Sequence, residues 1–140
     1  MNCPDYNSPQ ALKKILDEKG FAMQKKFGQN FLTSPDAREK IVSLLSLASG
    51  EDIWEVGPGL GAMTSGLLTG GARVTAFELD RGFISLLECY FNEERNDGTF
   101  RIVAGDVFLL SSVKLQTGCG LCLAARTTHP FQSCANGCMT

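Results

Sequence analysis

Two apolar spacings alternate along the chain. Residues 53–56, 73–78 and 100–104 are short apolar runs bounded by turn formers, and they read as strands. Between them the apolar positions fall at helical spacing. Met63, Leu67 and Leu68 follow a glycine-rich turn and end at Gly70-Gly71, and Phe83, Leu87, Tyr90 and Phe91 share one face over residues 82–94. Upstream, Ser8-Pro9 and Ser34-Pro35 each pair a capping hydroxyl with proline at the first helical position. Gly20 is a plausible stop for the first helix. The second should bury Ala37, Ile41, Leu44, Leu45 and Ala48 and end at Gly50. Asn96-Asp97-Gly98 reads as a turn. Strands that alternate with helices pair in parallel, so the pattern predicts an α/β fold. The expected sheet has three parallel strands in order 3-2-1, with helices on its faces. From about Leu109 the periodicity is lost and no further strand–helix unit is predicted.

The turn after the first strand is the chain's main chemical signal. It reads Glu55-Val56-Gly57-Pro58-Gly59-Leu60-Gly61, and Glu78 ends the next strand. Glycines there let a backbone approach a ligand closely, and an acidic residue at that place accepts hydrogen bonds from ribose hydroxyls. The spacing is G-x-G-x-G, with bulky Leu60 and no phosphate-seeking lysine. That suits a nucleoside ligand without phosphate, such as S-adenosylmethionine. A tight strand-to-helix turn also uses glycine for packing alone, and it is Glu78 that tips the balance toward a ligand.

Composition narrows this further. The 140 residues carry 13 Lys and Arg against 15 Asp and Glu, a net charge of −2, so binding of nucleic acid by bulk charge is not expected. The charges are unevenly spread. Residues 1–42 hold seven basic and five acidic residues, residues 43–106 four and ten, and residues 107–140 two and none. An anionic partner would meet Lys25 and Lys26 first. No apolar run approaches the roughly 20 residues of a membrane span, and the N-terminus is polar. A cytoplasmic protein is expected, in which the six cysteines are not a disulfide framework. Cys119-x2-Cys122 and Cys134-x3-Cys138, with His129 between them, approximate a four-thiolate zinc spacing. The surrounding tail lacks acidic residues and periodic apolar faces, so no metal site is assigned.

Four strings occur in order: Lys26-Phe27-Gly28-Gln29-Asn30-Phe31-Leu32, the glycine turn, Glu78-Leu79-Asp80-Arg81, and Gly105-Asp106. Over about residues 6–108 this set resembles the rRNA adenine N6,N6-dimethyltransferases of the small ribosomal subunit. The Phe-Gly-Gln-Asn-Phe-Leu string is far more specific than the glycines. The resemblance implies a Rossmann-like class I S-adenosylmethionine-dependent methyltransferase fold, here truncated after the third parallel strand. It implies S-adenosylmethionine as cofactor, with Asn30 and Leu32 touching it from the N-terminal segment. Gly57 would lie under its methionine end, Glu78 on the ribose, and Asp106 on the adenine amine. The implied substrate is adenosine of small-subunit rRNA or the pre-ribosomal small subunit, with no DNA or membrane partner and a monomeric protein. Lys25 and Lys26 would meet RNA phosphate.

The implied reaction is in-line displacement on a sulfonium methyl, without metal or covalent intermediate. The family's catalytic Asn-Leu-Pro-Tyr string, whose polar groups accept the N6 hydrogens and whose ring stacks on the flipped base, is absent. No catalytic residue is therefore assigned. Asn2-Cys3-Pro4-Asp5-Tyr6 has similar letters but reads as chance. The expected organisation is residues 1–50 as N-terminal helices with the cofactor- and RNA-contacting segment, residues 51–108 as the first half of the methyltransferase domain, and residues 109–140 as a Cys-rich tail, out-of-frame or disordered. Strand one is then expected to have an unpaired apolar edge, and the chain to be inactive and weakly soluble. Two alternatives remain: an erythromycin-resistance type methyltransferase of large-subunit rRNA, disfavoured by Pro58 and Leu60, and a non-catalytic module that binds cofactor or RNA.

Overall fold

The computed structural model describes residues 3–18, 34–106 and 123–126. Helices α1 (Pro9–Glu18) and α2 (Pro35–Leu45) precede β1 (Asp52–Val56). There follow α3 (Ala62–Thr69), β2 (Arg73–Glu78), α4 (Arg81–Tyr90), α5 (Asn92–Asn96), β3 (Phe100–Ala104) and β4 (Leu123–Arg126). The proline-led starts arise from their caps. Ser8 Oγ accepts from Ala11 N at 3.2 Å, and Ser34 Oγ from Ala37 N at 3.4 Å.

The three predicted strands are parallel and lie in the order β3-β2-β1. Glu55 pairs with Ala76 and Glu78 with Ala104, so the strands' carboxyl ends form one rim. The other edge of β1 is not open, contrary to the expectation from sequence. β4 runs antiparallel along it, with Ile53 opposite Arg126 and Val56 opposite Leu123. An uncovered row of N–H and C=O groups is a template for strand addition, and a four-residue stretch without Pro or Gly suffices to fill it. The expectation of poor solubility loses its basis there.

Alternate β1 and β2 residues face the helices. Ile53, Val74 and Ala76 are buried with Leu67 of α3, Leu87 of α4, Phe91 and Phe100. Burying side chains of this size stabilises by about 1.5–3 kcal/mol each. On the opposite face Trp54 and Phe77 meet edge-on, ring centroids 5.3 Å apart. A second cluster joins Tyr6, Leu12 and Leu16 to Leu60, Phe83 and Leu86, and so seats α1 over the glycine turn and α4.

Two helices depart from the sequence reading. α2 stops at Ser46, whose φ of 46° is left-handed, four residues before Gly50. Its packing face is also rotated. Val42 and Leu45 touch the core, whereas Leu44 is 74% exposed and Ala48 lies beyond the helix. The rotation follows from α3, where Gly66 lets Val42 approach so closely that a Cβ there would stand 3.2 Å from Val42 Cγ2. The predicted helix over 82–94 is broken at Phe91, whose ring is fully buried 5.0 Å from that of Phe100. Pulling that ring onto β3 costs the helix its continuity. No helix among the described residues is long and apolar enough to cross a membrane.

Candidate functional site

Two backbone hydrogen bonds sew the rim together. Gly57 N donates to Phe77 O at 2.9 Å, and Gly105 N donates to Glu78 O at 2.9 Å. Gly57, Glu78 and Asp106 thus come at the carboxyl ends of three adjacent parallel strands, the side on which open α/β sheets bind ligands. Asn30, Leu32, Lys25 and Lys26 lie outside the described residues, as do the four tail cysteines and His129. Among the described residues no His, Cys, Asp and Glu cluster could hold a metal.

Glu78 is 8% exposed. Its Oε1 accepts from Leu79 N at 2.8 Å and Asp80 N at 3.0 Å, and its Oε2 accepts from Gly59 N at 3.3 Å. An ionised carboxylate has about four lone-pair sites, so Oε2 retains capacity for an incoming hydroxyl. The Gly59 contact also ties the glycine turn to the end of β2. Asp80 then caps α4, accepting from Gly82 N at 2.7 Å and Phe83 N at 3.4 Å. Leu79, between these two acids, is 64% exposed at the rim. Asp106 is half-buried just past β3.

Gly57 has a φ of +69°, and a Cβ added to it would meet nothing within 4 Å. Its surface is open. A buried acceptor with spare capacity and an exposed apolar side chain fit the nucleoside end of S-adenosylmethionine, and the open Gly57 backbone leaves room for its methionine end. A concavity of about 630 Å3 lies elsewhere, between residues 4–7, α2 and α3. It includes none of Gly57, Glu78 or Asp106.

Glu55, Thr64, Leu79 and Tyr6 shape this site, and sequence reasoning missed them. Glu55 is fully buried, and its Oε2 accepts from Thr64 Oγ1 at 2.7 Å. The bond spans the glycine turn, joining the end of β1 to the first turn of α3. An acidic residue on the Ile53 face of an apolar strand was the available signal, because inward parity requires it to find a partner. Leu79 lies within the Glu78-Leu79-Asp80-Arg81 string, which does not show that its side chain is exposed. Tyr6 sits in the core, its hydroxyl donating to Leu60 O at 2.8 Å. Burial pushes the Tyr6 phenol well above its ordinary pKa, so it stays a protonated donor. Burial likewise raises the Cys3 thiol, opposed by a hydrogen bond with Tyr6.

A parallel sheet in order 3-2-1, a glycine turn after β1 and an acid at the end of β2 define the Rossmann-like class I S-adenosylmethionine-dependent methyltransferase fold, carried through its third parallel strand. A model of the family Ribosomal RNA adenine dimethylase matches residues 20–135. The chain belongs to that family. It is 55% identical over 104 residues to a ribosomal RNA small subunit methyltransferase A of Treponema denticola, covering 74% of this chain and 35% of that protein. The protein of the same name from Treponema pallidum (strain Nichols) is 45% identical over 107 residues, covering 76% and 36%. That from Borrelia garinii is 41% identical over 102 residues, covering 73% and 35%. The chain therefore spans about a third of the length of these curated relatives. A solved TehB-like SAM-dependent methyltransferase from Corynebacterium glutamicum overlaps 71% of this chain and 47% of its own, at 19% identity and a TM-score of 0.42.

Proposed function

We propose that this chain is the cofactor-binding part of a cytoplasmic S-adenosylmethionine-dependent adenine N6,N6-dimethyltransferase of small-subunit rRNA. One observation carries the reading: a buried Glu78 carboxylate held by three backbone N–H groups beside the open Gly57. The names of the relatives support small-subunit rRNA over the erythromycin-resistance alternative. Gly57 offers its unobstructed backbone to the methionine end of the cofactor. Glu78 accepts the ribose hydroxyls, Leu79 lies against the base, and Asp106 accepts from the adenine amine. Asn30 and Leu32 complete the set from the N-terminal segment. Bound there, the cofactor supplies an electrophilic sulfonium methyl. The chain's own residues fix its orientation, and the backbone donors on Glu78 hold that acceptor aimed at the rim.

No Asn-Leu-Pro-Tyr string occurs in the 140 residues, so nothing identifiable here accepts the N6 hydrogens of a target adenine. The chain by itself is accordingly a cofactor-binding unit rather than a complete enzyme. Isothermal titration with S-adenosylmethionine tests the first part. The wild-type chain should bind one equivalent, and Glu78→Gln should bind about tenfold more weakly, since one charged acceptor is worth about 1–3 kcal/mol. Equal affinity in the two would sink the assignment of Glu78. Tritiated-methyl transfer to undermethylated small subunits tests the second part. Incorporation above background that Asp106→Ala abolishes would show a working enzyme.

A further inference from the structure

Residues 3–8, ahead of α1, are held by hydrogen bonds. Asp5 closes a turn, its Oδ1 accepting from Asn7 N at 2.9 Å and its carbonyl from Ser8 N at 3.2 Å. Arg38 of α2 donates to Tyr6 O at 3.4 Å and also to Asn7 Oδ1. Cys3 Sγ donates to Tyr90 O at 3.9 Å, at the end of α4. Residues 3–8 are therefore pinned at both ends, to helices on either side of the glycine turn. Between the pins Tyr6 reaches inward.

Its target is specific. The peptide linking Leu60 to Gly61 leads into Gly61, the N-cap of α3. Its N–H donates to Pro58 O at 2.9 Å. Its carbonyl accepts from the Tyr6 hydroxyl at 2.8 Å. Both ends of one peptide plane are thus held, and Leu60 is buried, so no water is at hand to replace the phenol. Between Pro58 and Leu60, Gly59 N reaches Glu78 Oε2. A continuous chain of contacts runs from Tyr6 through the turn to the acceptor carboxylate.

We propose that Tyr6 is a positioning residue for the cofactor turn, setting the plane of the Leu60–Gly61 peptide and thereby the placement of the adjoining Gly59 N–H on the Glu78 carboxylate. The inference rests on the functional reading above. It gives the N-terminal strap a role that none of its letters announces. The protonated phenol serves as a donor across the working pH range, because burial removes its ionisation from that range.

The test uses the full chain and the Tyr6→Phe variant, which keeps the ring in the core and removes only the hydroxyl. S-adenosylmethionine titrations at low temperature should show Tyr6→Phe binding about tenfold more weakly, the scale of one buried hydrogen bond. Hydrogen exchange should quicken at Gly59 and Gly61 but not in β2 or β3. Leu16→Val, a core substitution under the same strap, serves as the stability control. It should lower the melting temperature while leaving affinity and turn exchange unchanged. If Tyr6→Phe leaves affinity and turn exchange unchanged, or if Leu16→Val moves them equally, Tyr6 has only a packing role. If Tyr6→Phe does not fold, Arg38→Met releases the Tyr6 carbonyl without touching the phenol and should move both readouts the same way by a smaller factor. An unchanged Arg38→Met then overturns the proposal. Failure of the wild-type chain to bind S-adenosylmethionine overturns the functional reading and this inference with it, an outcome distinct from equal binding by wild type and Tyr6→Phe.

Discussion

The two ends of the glycine turn look alike in sequence and differ in kind. Gly57 and Gly61 both hold positive φ, +69° and +86°. Around Gly57 a Cβ would meet nothing within 4 Å. At Gly61 it would stand 2.6 Å from Phe91 Cε2 and 2.9 Å from Leu87 Cδ2, both in the buried core. One glycine leaves room at the rim. The other lets α3 sit down on α4. A glycine motif therefore mixes two requirements, and only the first speaks of a ligand.

The sharpest way to break this comparison is at the packed end. Gly61→Ala combines a strained left-handed backbone with overpacking against two immobile side chains. It should cost about 3 kcal/mol, read as a drop in urea midpoint. A loss under 1 kcal/mol would mean that α3 and α4 can part freely. Next in size is Thr64→Val beneath the turn. It strips the 2.7 Å donor from the buried Glu55 carboxylate and should cost about 2 kcal/mol in the same assay. Neutrality would show that Glu55's remaining contacts suffice.

At the open end, Gly57→Ala should cost only about 1 kcal/mol of stability, the price of its φ. It should also weaken S-adenosylmethionine binding by at least about tenfold, about 1.4 kcal/mol, because the methyl group enters the space left for the ligand. A variant that is destabilised yet binds normally would remove Gly57 from the proposed site.

The smallest effect calibrates the rest. Asp97 is an exposed carboxylate, its pKa held below the ordinary value by the Thr99 hydroxyl and backbone N–H. Its folded-state pKa is depressed, so its contribution is present above the ordinary carboxylate range and is lost as the pH falls through the lowered value. Wild type and Asp97→Asn should therefore converge in urea midpoint as the pH drops below about 4, the usual Asp value. A gap that widens on acidification would reverse the sign and contradict the Thr99 contacts.

Much of the rim was legible because it depends on local rules. Strand limits at 73–78 and 100–104 follow from apolar runs between turn formers, and Gly57 and Glu78 from their place at strand ends. The helix faces were less legible. Leu44 fits a helical stripe as well as Val42 does, and only the small residues of α3 select between them. Phe91 likewise belongs to an apolar helix face in one dimension, while in three it abandons the helix for Phe100.

The sequence by itself determined the α/β alternation, the order of the three parallel strands, the family and the acid at the end of β2. Periodicity, chain order and motif spacing are properties of neighbours along the chain. The tertiary structure alone decided that Tyr6 closes on Leu60, that Glu55 turns to Thr64, that the second edge of β1 is taken by β4, and which glycine faces open space. Those contacts join residues far apart in the chain or hinge on what surrounds a single Cβ, and a one-dimensional pattern records neither.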